Sequence, residues 1–144
     1  MDKNKQTKYA LAALRIGMGW LFFYAGLSKI LNPEWTSAGY LSGAKTFPGL
    51  FQWFSQAGNI GWVDFLNEWG LLLIGLSLIL GLFVRYASYA GIALMALYWL
   101  PVLDFQKVDH GILVDDHIIY ILAMIVFIKA KAGEHLGLDK KYKI

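Results

Sequence analysis

The sequence predicts an all-α integral membrane protein, a four-helix bundle with an extra interfacial helix between helices one and two. Three observations predict it. Of 144 residues, 58% are hydrophobic and only 16% are charged, against roughly a quarter charged in soluble domains. A chain this short cannot hide that much apolar surface from water. The apolar residues also fall in long runs that lack the alternation of barrel strands. Finally, lysine and arginine flank those runs asymmetrically, as membrane insertion requires. The length suits one domain, residues 1–144.

The first run covers residues 9–31, and its only charges are Arg15 and Lys29. At about 1.5 Å per residue a helix over it rises roughly 34 Å, enough for a hydrocarbon core of about 30 Å. It is longer than a signal-peptide core and no small-x-small cleavage site follows, so it reads as a retained helix. The further spans are expected at 64–84, 86–103 and 114–131. The apolar run of the last, from about Asp116 to about Ile128, is the shortest and reaches spanning length only with its flanks. A helix satisfies its own backbone in lipid, which is why each run is read as one.

Residues 32–63 are too many for a structureless connection. Pro33, Gly39, Gly43, Pro48, Gly58 and Gly61 punctuate them. Thr46 can cap a short helix over about 47–57 that Gly58 ends. Phe47, Leu50, Phe51 and Phe54 then form one apolar stripe. With Trp35, Tyr40, Trp53, Trp62 and Trp69 the segment reads as an interfacial helix with an aromatic belt. The same rings could roof a pocket for a flat lipophilic ligand such as a quinone.

Four spans put both tails and the turn at Arg85 on one side. That side carries Lys3, Lys5, Lys8, Arg85, Lys129, Lys131, Lys140, Lys141 and Lys143. The other has Lys45 and Lys107, with Lys29 near its boundary, and the acids Glu34, Asp64, Glu68, Asp104, Asp109, Asp115 and Asp116. Both termini are therefore expected in the cytoplasm, with the chain multi-pass in the cell membrane. The net charge of +3 becomes a topology signal with some attraction for anionic lipid. Nucleic acid is not an expected partner.

Within helix one, Ala12, Arg15, Gly19, Phe22, Gly26 and Lys29 share a stripe whose small residues admit a neighbouring helix. Arg15 and Lys29 should face the interior and need partners. For Lys29 these are Glu68, Asp115 and Asp116. For Arg15 they are backbone carbonyls, Ser88, lipid phosphate or a bound anion. A Lys29, Glu68 and Asp116 cluster could bind an anion or relay protons; equally, it could fix helix order or let long side chains snorkel. In helix four, Asp116, Tyr120, Ala123, Phe127 and Ala130 form another stripe, with Tyr98 and Trp99 at the end of helix three. His110 and His117 have no second motif to support haem ligation. The absence of cysteine excludes disulfides, iron–sulfur clusters and thiol catalysis. No zinc-protease, dinucleotide or Walker motif is present, and no metal site is expected.

The order Arg15…Gly19 Trp20 Leu21 Phe22 Phe23…Gly26…Lys29, then Glu68 Trp69 Gly70…Gly75…Gly81 Leu82…Arg85, then Asp116 His117 Tyr120, resembles the DoxX/DoxD-like family of small membrane proteins. The tail from Ala132 to Asp139, AGEHLGLD, is the most particular part of the likeness. The resemblance implies a four-helix bundle and, for thiosulfate:quinone oxidoreductase small subunits, oxidation of thiosulfate with a quinone as electron acceptor beside a partner redox subunit. On that reading Lys29, Glu68 and Asp116 are the candidate catalytic residues. Arg15, Lys29, Arg85 and Tyr120 are the candidate anion-binding residues, and Trp35, Phe51, Trp69 and Tyr98 the candidate quinone contacts. No covalent cofactor is expected. Expected partners are the bilayer, a redox subunit and a second copy of the chain. The competing reading is a non-catalytic membrane scaffold. A transporter fits less well, for no inverted repeat is visible.

Overall fold

In a computed structural model, residues 3–103 and 114–142 are described. Asp104, Lys107, Asp109, His110 and Lys143 lie outside them. Among the described residues there are helices and turns and no strand. The α-helices are α1 (Lys3–Ile30), α2 (Ala38–Ser42), α3 (Pro48–Ser55), α4 (Ile60–Leu80), α5 (Val84–Val102), α6 (Asp116–Lys129) and α7 (Asp139–Tyr142), with a 3-10 turn at Ala132–Glu134.

The helical period brings Ala12, Arg15, Phe22 and the two glycines between and after them onto one buried face of α1, while Trp20 and Tyr24 on other faces stay exposed. That buried face lies against α4. A Cβ on Gly26 would strike the backbone of Leu72 and Glu68, and one on Gly75 the backbone of Phe23 and Gly19. The two helices meet backbone to backbone, a distance only glycine permits. From there α4 packs on α5, α5 on α6, and α6 touches α1. Phe22, Leu78, Met124 and Phe127 form the centre.

Two helices, over Lys5–Ile30 and Ile60–Leu80, are long and apolar enough to cross a membrane. Only 33% and 28% of their most apolar windows are buried within the chain, so most of that apolar surface faces outward. The 14 residues of α6 rise about 21 Å, short of a hydrocarbon core by themselves.

Between α1 and α4 the structure differs from the expected short helix over 47–57. Here α3 begins at Pro48 and stops at Ser55, and a further short helix, α2, precedes it. Thr46 caps nothing. Its hydroxyl donates to the Leu103 carbonyl at 2.7 Å, and the Lys45 N–H donates to Pro101 at 2.8 Å. The end of α5 draws this strip of backbone to itself, and Phe47 turns the chain with a left-handed φ of 51°. Leu41, Ala44 and Phe51 close a second small core against Phe54, Val63 and Leu100. The start of α4 also falls earlier than residue 64, at Ile60, so Trp62 is helical.

Candidate functional site

Polar side chains gather at two opposite ends of the helix array. At one end, the last turn of α1 meets the first turns of α4 and α6 and the last turns of α5. A cavity of about 370 Å³ opens there, walled by Lys29, Trp35, Asn67, Tyr98 and His117. A smaller one of about 170 Å³ shares Lys29, Tyr98 and His117 and adds Phe22, Asp116 and Tyr120. A third, of about 200 Å³, lies under α2 and α3 and is almost wholly apolar, with Phe51, Phe54, Leu94 and Leu97 in its wall. Ser37, Tyr40, Asn67 and Tyr98 separate it from the first.

That partition is hydrogen-bonded. Tyr98 donates its hydroxyl to Asn67 Oδ1 at 2.5 Å, and Tyr40 donates to the Tyr98 carbonyl at 2.5 Å. Burial, reinforced by the negative charges of Asp115 and Asp116, pushes the Tyr40 phenol up to about 12, so near neutrality it stays a donor. Asp64 secures the segment after α1 by accepting from the Ser37 N–H at 2.9 Å and the Thr36 hydroxyl at 2.7 Å.

His117 sits between two carboxylates. Its Nδ1 is 2.8 Å from Asp115 and 3.4 Å from Asp116. Asp115 caps α6 by accepting the Ile118 N–H at 3.2 Å. The edge of the imidazole meets the Tyr98 ring, centroids 5.8 Å apart. The oxygens of Asp115 and Asp116 and a nitrogen of His117 lie within 4.8 Å of one another.

Lys29 lies over the Trp35 ring at 4.8 Å, a cation–π contact. Among the described residues it makes no ion pair. Glu68 acts on it through its charge, from beyond ion-pair distance, while Asp116 shares the smaller cavity with it. Tyr120 lines that same cavity and packs edge-on against Phe22. Of the four candidate quinone contacts, Trp35, Phe51 and Tyr98 wall cavities at this end. Trp69 does not; it is exposed and rests on Phe65.

Arg15 and Arg85 belong to the opposite end. Arg15 is fully buried and donates from Nη1 to the Ala132 carbonyl and from Nη2 to that of Leu136, both at 3.2 Å. Among the described residues its Nε and the buried Ser88 hydroxyl have no hydrogen-bond partner. Asp139, also buried, accepts from the Phe83 N–H at 2.6 Å and the Val84 N–H at 3.1 Å. The tail thus folds back under the α4–α5 turn. Gly81 makes that turn possible with a φ of 66° and no Cβ to strike Arg15. Arg85 is exposed beside this arrangement.

Asn67, Ser37 and the capping role of Asp139 were not singled out from sequence. An asparagine in the apolar part of a helix, next to Glu68, was the available signal for the first.

The DoxX family model matches residues 10–103 of the chain. The match runs from α1 through α5 and takes in Arg15, Lys29, Asn67, Glu68, Arg85 and Tyr98. No curated protein and no solved structure matches it.

Proposed function

The chain belongs to the DoxX family, and from that membership we propose a multi-pass membrane protein that serves a quinone-linked oxidoreductase. Both termini lie in the cytoplasm. The Lys29 end faces outward and takes a quinone, with a small sulfur anion such as thiosulfate as reductant and a partner redox subunit beside it.

One observation carries this reading. A cavity bearing a cation, an imidazole and a phenol shares a wall with an almost purely apolar cavity. An amphipathic ligand with a flat polar head and a hydrocarbon tail needs both. Pockets for such ligands combine apolar walls with a few placed polar groups.

A bound quinone supplies acceptance of two electrons together with uptake of two protons. Two thiosulfates, joined through a new S–S bond, release those two electrons. The residues of this chain supply the rest. Lys29 holds an anion or a carbonyl oxygen by charge. His117, held by Asp115 and Asp116, offers its ring nitrogens to the head of the ligand. The Tyr98–Asn67 hydrogen bond keeps the phenol ring upright between the two cavities. Asp116, which shares the smaller cavity with Lys29, and Glu68, whose charge acts on Lys29, supply negative charge at this end.

The test is thiosulfate-dependent reduction of a short-tailed quinone by the purified protein, alone and with proteins that co-purify in fixed ratio. Quinone binding is read in parallel by tryptophan fluorescence. The expected result is turnover in at least one condition and weakened binding in Lys29→Ala. No turnover in either, with Lys29→Ala binding as well as the parent, removes the reading.

A further inference from the structure

At the Arg85 end, away from the cavities assigned above, we propose a site for the phosphate head group of an anionic phospholipid. A hollow of about 500 Å³ opens there between the start of α5, the end of α6 and the turn Ala132–Glu134. Arg85, Lys129 and Lys131 bring positive charge to its wall, and Glu134 and Asp139 bring negative charge.

The two carboxylates are already engaged. Asp139 receives the N–H groups of Phe83 and Val84, and Glu134 meets Lys131 at 3.6 Å. Arg85 and Lys129 form no ion pair among the described residues. The uncommitted charge of the hollow is therefore positive. A guanidinium accommodates two phosphate oxygens in one plane, and an ammonium adds a point charge.

The remaining wall decides which phosphate. Tyr86 and Tyr89 line it, both more than half exposed, and Ile128 continues it. Tyrosine rings settle at head-group depth, with the ring in the apolar layer and the hydroxyl in the wet one. A free phosphate has no use for that wall, whereas the first carbons of an acyl chain lie along it. Basic hollows between membrane helices suit anionic head groups.

The experiment titrates the full chain in a nonionic detergent with phosphatidylglycerol, phosphatidylcholine or inorganic phosphate, following the melting midpoint. A ligand of the folded state raises that midpoint by mass action. Phosphatidylglycerol should raise it saturably and phosphatidylcholine should not. In the double variant Arg85→Gln/Lys129→Gln the phosphatidylglycerol titration should shift to roughly thirtyfold higher concentration, about 2 kcal/mol for two interfacial cations. Lys45→Gln, beside the far end of α5, should leave it unchanged. Both altered positions are exposed, and the midpoint without lipid reports whether the variant folds. Inorganic phosphate acting as strongly as phosphatidylglycerol would overturn the lipid assignment. A phosphatidylglycerol effect that survives the double variant, or matches that of phosphatidylcholine, would overturn the site.

Discussion

Arg15 donates to the carbonyl of Leu136 at 3.2 Å, which fastens the middle of the first long helix to the C-terminal tail. Its second bond, to Ala132, holds the turn that follows α6. A buried cation bonded to two backbone carbonyls is costly to remove, because the carbonyls are then left unpaired. Arg15→Met should lower stability by about 3 kcal/mol and free the tail for proteolysis at Lys140 and Lys141. Arg15→Lys should recover part of the stability, since an ammonium reaches one carbonyl but does not span both. Detergent melting and limited proteolysis check both outcomes; a tail equally resistant in Arg15→Met would refute the fastening.

Asp139 acts on the same tail from the other side. Its carboxylate satisfies two N–H groups at the start of α5, work ordinarily done by a residue adjacent in sequence. Asp139→Ala should cost about 1–2 kcal/mol, and Asp139→Asn less, since its one carbonyl oxygen still accepts. Combined with Arg15→Met the losses should fall short of additive, because either change alone already releases the tail. Melting of the two singles and the double measures the coupling.

The glycines of α1 and α4 differ sharply in what they permit. Nothing lies within 4 Å of a Cβ on Gly17, whereas one on Gly75 of α4 would meet the backbone of Phe23. Gly17→Ala should be neutral or stabilising by up to about 1 kcal/mol. Gly75→Leu should push α1 from α4 and cost about 3 kcal/mol or more. Yield and melting of the two variants in one detergent give the comparison, and equal behaviour would deny the close approach.

How far these features were legible depends on what carries them. The stripe through Ala12, Arg15, Gly19, Phe22 and Gly26 was readable because helical period alone decides which side chains share a face. The acceptors of Arg15 were readable only as a class, carbonyls among other choices. A backbone carbonyl leaves no mark in sequence, and the contact closes over 121 positions. Lys29 shows a different limit. Counting charges pairs it with Glu68, Asp115 or Asp116, yet the chain after Pro33 brings the Trp35 ring beneath it first. The left-handed turn at Phe47 and the short α2 were hidden for a related reason. The pull of Leu103 on the Thr46 hydroxyl and of Pro101 on the Lys45 N–H comes from a distant helix end and overrides local capping preference.

Tyr40 gives a pH dependence with a definite sign. Its phenol is held protonated up to about 12 by burial and by Asp115 and Asp116, above the ordinary tyrosine value of about 10. A folded-state value above the unfolded one contributes stability that is whole below pH ~10 and fades as pH rises toward ~12. Stability curves of the parent and Tyr40→Phe should therefore run parallel below pH ~10 and converge above it. Parallel curves throughout would mean that the hydroxyl is indifferent to the carboxylates.

Leu97 separates the two halves of the proposed ligand. It lines the apolar cavity and not the one walled by Lys29, and it is about half exposed, so a larger side chain can be accommodated by turning outward at its base. Leu97→Trp should fill part of the cavity and weaken a quinone bearing a ten-carbon tail by about tenfold, ~1.4 kcal/mol of lost packing contacts. A tailless quinone should bind as before. Lys29→Met should weaken both, since it acts on the head. Fluorescence titration of the two quinones against the parent and both variants reads all four effects. If the tail proves indifferent to Leu97 while the head still requires Lys29, the apolar cavity has another use and the head-group site stands; if neither variant matters, the ligand does not bind at this end.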